Sequence, residues 1–253
     1  MSIPAPRKSK KPPHGTTHSH IYGKLRSALM NGDFVPGQRL VVRDLAERFN
    51  TSPMPVREAL RRLVSEEALF DHPNRGVLIP EATVAVISDL VRVRCSIEGS
   101  AAEWAATTIT TDEIDEAENI NGRMQAIANQ PGSGVRDDYL ALNRQFHFLI
   151  YRASRSPVLL PIIERLWLRA GPWLNIMRQG TTLGMGLDHH TEILDALHKG
   201  EGLRARRAVV ADISDAADIM LRAANRGIPD LTGKPNHHER KKPAARRQTS
   251  SSG

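Results

Sequence analysis

Five polar side chains fall where a helical reading of the chain wants apolar ones. In 86–106, Ile87, Leu90, Ile97, Ala101 and Trp104 recur at intervals of three and four, and Arg94 lies on the same stripe. In 138–153, Leu140 and Ile150 mark the apolar face, with Asn143 and His147 between them, one helical turn apart. His190 shares a face with Leu187, Leu194 and Leu197 in 187–198, and Asp212 lies among Val209, Ile213 and Ala216. A guanidinium on a buried face is costly unless paired. Buried polar groups need partners, and the candidates are one another, water, a metal ion or a polar ligand. Asn143 and His147 present two ligand atoms from consecutive turns. His190 and Asp212, from two further helices, complete a donor set for a divalent cation in a bundle core. Each residue also has a plain structural reading: a satisfied core histidine, an asparagine bonded to a backbone carbonyl, an Asp212–Arg94 pair. Taken together, they predict an internal polar pocket.

A second group is basic. PMPVREALRRLVSEEA places Val56, Ala59, Leu60 and Leu63 on one helical face and Arg57, Arg61 and Arg62 on the other. VRDLAERF before it forms a short helix with Leu45, Ala46 and Phe49 inward. NTSP between them is a tight break, with Ser52 as N-cap and Pro53 as first helical residue. Upstream, 20–32 is a helix with Ile21, Leu25, Ala28 and Leu29 on one face, closed by Gly32. Downstream, ALFDHPNRGVLIP reads as two short strands around a turn. Short helix, turn, second helix with a basic face and a hairpin describe a winged helix-turn-helix. A helix fits the major groove of DNA, its first backbone N–H groups can hold phosphate, and Arg57 one turn in can reach phosphate or guanine. The alternative is a small packing motif with a solvated basic face.

These elements sit in a chain of 253 residues, 40% apolar and 25% charged, sufficient for a sizeable core. The net charge of +7 is uneven: 1–13 and 229–253 each contribute +4, 14–80 contributes +2 and 81–228 contributes −3. The basic ends read as solvated tails, His237 and His238 included. No stretch reaches the roughly 20 apolar residues of a membrane helix, and the basic, Pro-rich start has no apolar run of a secretory signal. A single cysteine, Cys95, excludes a disulfide framework and a cysteine zinc cluster; it reads as a packing residue in a cytoplasmic protein. The fold expected is mainly α. A basic tail (1–15) precedes a winged helix-turn-helix (16–80), an all-α bundle of six or seven helices (81–226) and a second basic tail (227–253). No HExxH, GxSxG or Gly-rich nucleotide fingerprint is present, so a non-enzyme is expected; the rival class is a metal-dependent hydrolase using the His/Asp pocket.

RLVVRDLAERFNTSPMPVREALRRLVSEEAL…NRGV, with the turn around Pro36, Gly37 and Leu40, resembles the winged helix-turn-helix of GntR-family transcription regulators. The resemblance implies DNA contacts from Arg43, Ser52, Arg57 and the wing tip at Arg75 and Gly76. Pro55 and Arg61 on the same helix complete the candidate set. Pro53 stands where many members have Arg, and Glu67 where Gly is common. RVRCSIEGSAAEWAA, LNRQFHFLIYRAS and DHHTEILDALHKGE resemble the FCD domain of the FadR subfamily; together the resemblances cover about residues 20–222. Many FCD domains hold a divalent metal with one Asp and three His and bind a small carboxylate beside it. By position, Asn143 matches the Asp, His147 and His190 match two of the His, and Asp212 matches the third. Two ligand types are kept and two altered, with the formal charge conserved; Zn, Mn, Fe or Ni suits such a set. The resemblance also implies that Arg94 meets the effector carboxylate, which bidentate pairing makes sensible. The function it implies is a homodimeric, cytoplasmic repressor whose grip on operator DNA responds to a small organic acid. A DNA binder with a vestigial pocket is the other alternative.

Overall fold

In a computed structural model of the chain, the described residues are 14–128, 130, 133–175 and 186–225. The expected tails, with His237 and His238, lie outside them apart from the first turn of helix α1 (His14–Met30). This helix starts six residues before the expected 20 and buries the stripe Ile21, Leu25, Ala28 and Leu29. Gly32 ends the turn after it with φ +72°, a conformation glycine adopts without strain. Helix α2 (Val42–Arg48) and helix α3 (Pro53–Ser65) follow, with Leu45 and Ala46, then Val56, Ala59, Leu60 and Leu63, turned inward. Strands β1 (Phe70–His72) and β2 (Gly76–Leu78) pair antiparallel, Phe70 opposite Leu78 and His72 opposite Gly76, and Arg39 bridges Leu78 from the other side. Glu67 takes φ +57°, so the turn into the wing is left-handed although no glycine occupies it. That conformation costs a non-glycine residue about 1–2 kcal/mol.

Two expectations change at α3. Ser52 has extended N-cap backbone, but its hydroxyl makes no capping bond. Pro55 is buried. Both Pro53 and Pro55 lie in the first turn, where a missing N–H costs nothing because no intrahelical acceptor exists for it. They also remove two of the backbone donors that a helix start would offer to phosphate.

The second domain has six helices among the described residues: α4 (Val84–Ala105), α5 (Thr111–Ala128), α6 (Ser133–Ala153), α7 (Leu159–Ala170), α8 (Leu187–His198) and α9 (Gly202–Asn225). A 3-10 turn, Gly171–Trp173, extends α7. Thr83 caps α4 by accepting from Val86 N (3.3 Å), and Thr110 and Glu113 exchange bonds in a capping box that starts α5. α4 and α9 run antiparallel, tied by Arg206–Glu103 at 2.9 Å near one end and by Cys95 Sγ against Ser214 Oγ at 3.9 Å further along. Half-buried Cys95 is the packing residue expected. The α4 face buried is Ile87, Leu90, Arg94, Glu98, Ala101 and Ala105. Trp104, placed on that stripe by the sequence, is 48% exposed: the helical period carries the buried face from Ala101 to Ala105 and leaves Trp104 outside.

One apolar core runs through both domains. α1 packs on α3 and on α7, with Arg26 paired to Glu164 at 2.9 Å. Backbones meet closely at the end of α1. A Cβ at Gly171 would collide with the Leu29 carbonyl and lie 2.7 Å from Met30 Cα, while one at Gly32 would lie 3.0 Å from Gly171 O and Asn175 N. Asn175 Nδ2 donates to Gly32 O at 2.8 Å. Gly171→Ala is therefore expected to cost about 1–3 kcal/mol in urea unfolding, the usual range for overpacking. Unchanged stability would show that α1 and α7 do not meet this closely in solution.

Candidate functional site

α6 presents Asn143, His147 and Tyr151 in a row at i, i+4 and i+8; the first two line an internal cavity of about 50 Å³, and Tyr151 lies one turn beyond. At roughly 10–15 Å³ per water, that admits only a few heavy atoms. Arg94 from α4, Trp167 from α7, Gly186 and Asp212 from α9 also line it, and His190 from α8 sits behind Gly186 and Asp212. The structure thus brings all five pocket residues expected from the sequence to one place. His147 Nε2 lies 3.2 Å from Asp212 Oδ2, and His190 Nε2 lies 3.8 Å from Asp212 Oδ1. Donor atoms of His147, His190 and Asp212 all fall within 4.8 Å of one another. Asn143 is half-buried at the cavity wall.

His190 has no exposure to water, and neither ring nitrogen has a hydrogen-bond partner among the described residues. Its ring stacks on Phe146 at 4.4 Å. Burial drives its pKa down to about 3, so it is a neutral imidazole, the form that binds metals. Burial pushes the Asp212 carboxyl up, but the hydrogen bond from the His147 imidazole outweighs this and holds it below the ordinary range. A Cβ at Gly186 would lie 2.5 Å from Asp212 Oδ1 and 3.6 Å from His190 Nε2, so any side chain there would push the Asp212 carboxylate from its place.

Behind this group stands Glu98, fully buried. Its carboxylate accepts from Arg94 Nε (2.7 Å) and Nη2 (3.3 Å), from the Tyr151 hydroxyl (2.7 Å) and from Trp167 Nε1 (2.9 Å). Arg94 is therefore paired with Glu98 and not with Asp212. Burial, then the charge of Glu98, push the Tyr151 hydroxyl well above its ordinary range, so it keeps its proton and donates a hydrogen bond to Glu98. The phenolic oxygen, 3.3 Å from His147 Nδ1, is left to accept. His147 is thus held between the Tyr151 hydroxyl on its Nδ1 side and Asp212 on its Nε2 side, which fixes the orientation of the ring. Glu98, Tyr151, Trp167 and Gly186 were not singled out from the sequence. Glu98 alone carried a signal there, at i+4 from Arg94.

The DNA-facing candidates occupy the first domain. Arg43, Ser52, Arg57, Arg61, Arg75 and Gly76 are exposed. Arg61 pairs with Glu58 at 2.8 Å, whereas Arg43, Arg57 and Arg75 make no ion pair among the described residues, nor does exposed Arg39 beside the wing. Arg62 is withdrawn from this surface: it pairs with Glu66 (3.1 Å) and lies over the Tyr22 ring at 3.8 Å. Buried Pro55 has no face left for DNA. His189, expected near a helix cap, pairs with Asp215 at 2.8 Å.

The fold defines a class: DNA-binding regulators in which a winged helix-turn-helix is carried on a helical bundle. Residues 17–79 match the family "Bacterial regulatory proteins, gntR family", and residues 89–215 match "FCD domain". The chain is 32% identical over 216 residues to the HTH-type transcriptional regulator McbR of Escherichia coli K12, covering 84% of this chain and 96% of McbR. It is 26% identical over 210 residues to the HTH-type transcriptional repressor RspR of the same organism, covering 82% and 90%. The solved structure of E. coli McbR/YncC superposes with a TM-score of 0.75 at 27% identity, over 81% of this chain and 97% of that one. The chain belongs to the GntR family and is a transcription regulator of the GntR/FCD type.

Glu98→Gln would leave Arg94 buried without a counter-charge. The expected cost in urea unfolding is about 3–5 kcal/mol, and an added Arg94→Met should recover much of it. A double variant no more stable than the single one would mean that the two side chains are not coupled.

Proposed function

We propose that the chain is a homodimeric repressor whose operator affinity is set by a small carboxylate bound on a divalent cation in the cavity. The observation that carries this reading is His190, buried, neutral and without a hydrogen-bond partner, facing a carboxylate and a second imidazole. Two imidazoles and one carboxylate suit Zn, Mn, Fe or Ni, with Asn143 able to add a neutral oxygen. When bound, the cation supplies positive charge for an anionic effector.

The charges of the cavity explain why it is needed. Arg94 lines the cavity but is held by Glu98, so its charge is already balanced. Asp212 leaves the bare cavity acidic, which repels a carboxylate. A divalent cation held by His147, His190 and Asp212 would reverse the sign, and Arg94 Nη1, which makes no hydrogen bond among the described residues, adds directional pairing. The small cavity fits a small acid.

Control of DNA binding follows from what the effector touches. Ala170 and Leu174 line the cavity, and Gly171 between them abuts the end of α1. An effector that prefers one placement of α7 biases the winged helix through α1; without such a preference it shifts nothing. In a two-fold dimer each α3 meets one half of a near-palindromic operator, with Arg43, Arg57 and Arg75 on phosphate and base edges.

Protein purified without chelator is expected to carry about one transition metal per chain by mass spectrometry. Gly186→Ala and the His147→Ala/His190→Ala pair should lose it. Small carboxylates should raise Tm only in the metal-loaded protein; an equal rise after chelation removes the cation from the scheme. Arg57→Ala should weaken operator binding and lower the slope of log K against log salt by about 1. An unchanged slope excludes a phosphate contact.

A further inference from the structure

A second polar row runs along α6, one residue round from the first: Arg144, Phe148 and Arg152 at i, i+4 and i+8. It opens on a groove of about 300 Å³ between α5 and α6, separate from the internal cavity. Arg144 is half-buried, its Nε is closed off from water, and it has no hydrogen-bond partner or ion pair among the described residues. Arg152, exposed, lies over the Phe148 ring at 5.7 Å and also makes no ion pair. Two carboxylates share the groove, but neither balances Arg144. Glu113 is held by Arg155 at 2.6 Å and by the α5 cap; Glu116 is exposed and pairs with neither arginine. A partly buried charge without a counter-charge is unfavourable, and Arg cannot escape by losing its proton.

We infer that the α5–α6 groove is an oxyanion site distinct from the internal cavity, in which Arg144 and Arg152 hold the phosphate or carboxylate of a small organic anion. Ile120 and Phe148 form an apolar floor for its carbon skeleton, and Gln145 at the rim is a further hydrogen-bonding group. Planar guanidinium donors two turns apart on one helix face suit a group with several oxygens. The groove takes a free small molecule in preference to a carboxylate from a second copy, because the floor is set between two helices and the buried donor lies at its base. It lies on elements outside the helix-turn-helix, so it is not the DNA face. The inference does not depend on the metal reading.

The test uses the full chain, treated with chelator so that no metal competes for the anion. It is titrated with inorganic phosphate and, separately, with succinate, at constant ionic strength set by sodium chloride. One probe should raise Tm saturably, by about 5 °C or more at hundredfold saturation; which one does so distinguishes phosphate from carboxylate ligands. Arg144→Met should abolish the rise, with Arg144→Gln as a second variant should the first fold poorly. Arg152→Met should weaken binding about tenfold or more. Arg57→Ala and His147→Ala/His190→Ala should keep the full response. Glu116→Gln should tighten binding. Equal responses in wild type and Arg144→Met, or no response to either probe, overturn the inference. So does a loss of stability in Glu116→Gln matching that in Arg144→Met, which would make Glu116 the counter-ion. A shift of the monomer–dimer balance by Arg144→Met in sedimentation, with no anion bound, gives the groove to a second copy and also overturns it.

Discussion

A carboxylate sealed from water, Glu98 on α4, receives four hydrogen bonds from three helices. Two come from Arg94 on its own helix, one from Tyr151 on α6 and one from Trp167 on α7. Oε1 accepts one of them and Oε2 the other three. This shared acceptor fixes the rest of the cavity. Arg94 cannot swing away without stranding a charge, Tyr151 cannot turn without releasing His147, and α7 cannot slide without breaking the indole bond. Buried ion pairs add little net stability, because desolvation consumes most of the Coulomb gain. What this one supplies is a single arrangement of three helices, with Nε2 of His147 held against Asp212.

The same helix that closes the cavity also carries the first domain. Trp167 reaches Glu98 from α7. Ala170 and Leu174 line the cavity, and Gly171 lies with its backbone against Leu29 and Met30. Contact between backbones leaves no side chain to flex, and packed interiors deform little. Whatever occupies the cavity therefore meets a surface only a few residues from the end of α1. α1 in turn packs on α3, the helix with the free Arg57. No long relay of side chains is required.

Local periodicity made most of the helices legible. The spacing of Val56, Ala59, Leu60 and Leu63 defined α3, and 187–198 matched α8 at both ends. Polar residues on apolar stripes located the cavity, because burial makes such residues costly wherever they occur. The failures also have physical causes. Trp104 fits a three–four spacing counted from Ala101, but the buried face passes through Ala105 instead. Pro55 was assigned by its neighbours on a basic helix, while its own ring faces the core. The plain alternative for Arg94, a pair with Asp212 across the fold, gives way to a partner four residues away on the same helix. Glu98 was within reach of the sequence; Tyr151, Trp167 and Gly186 were not. Their roles come from contacts between elements 26 to 69 residues apart.

The two altered ligand positions are best read as one change. The resemblance to FCD domains implies a carboxylate at 143 and an imidazole at 212; this chain has an amide and a carboxylate there. Aspartate at both positions would put two carboxylates beside Glu98 with only Arg94 to offset three negative charges. Asparagine at 143 with histidine at 212 would leave the imidazoles no anion. The pair observed keeps one carboxylate and moves it from α6 to α9. There it lies 3.2 Å from His147 and against the open backbone of Gly186. The move is tolerated because position 186 has no side chain: Asp212 occupies the space a Cβ would take. Asp212 and Gly186 thus form one constraint, each restricting what the other position can be.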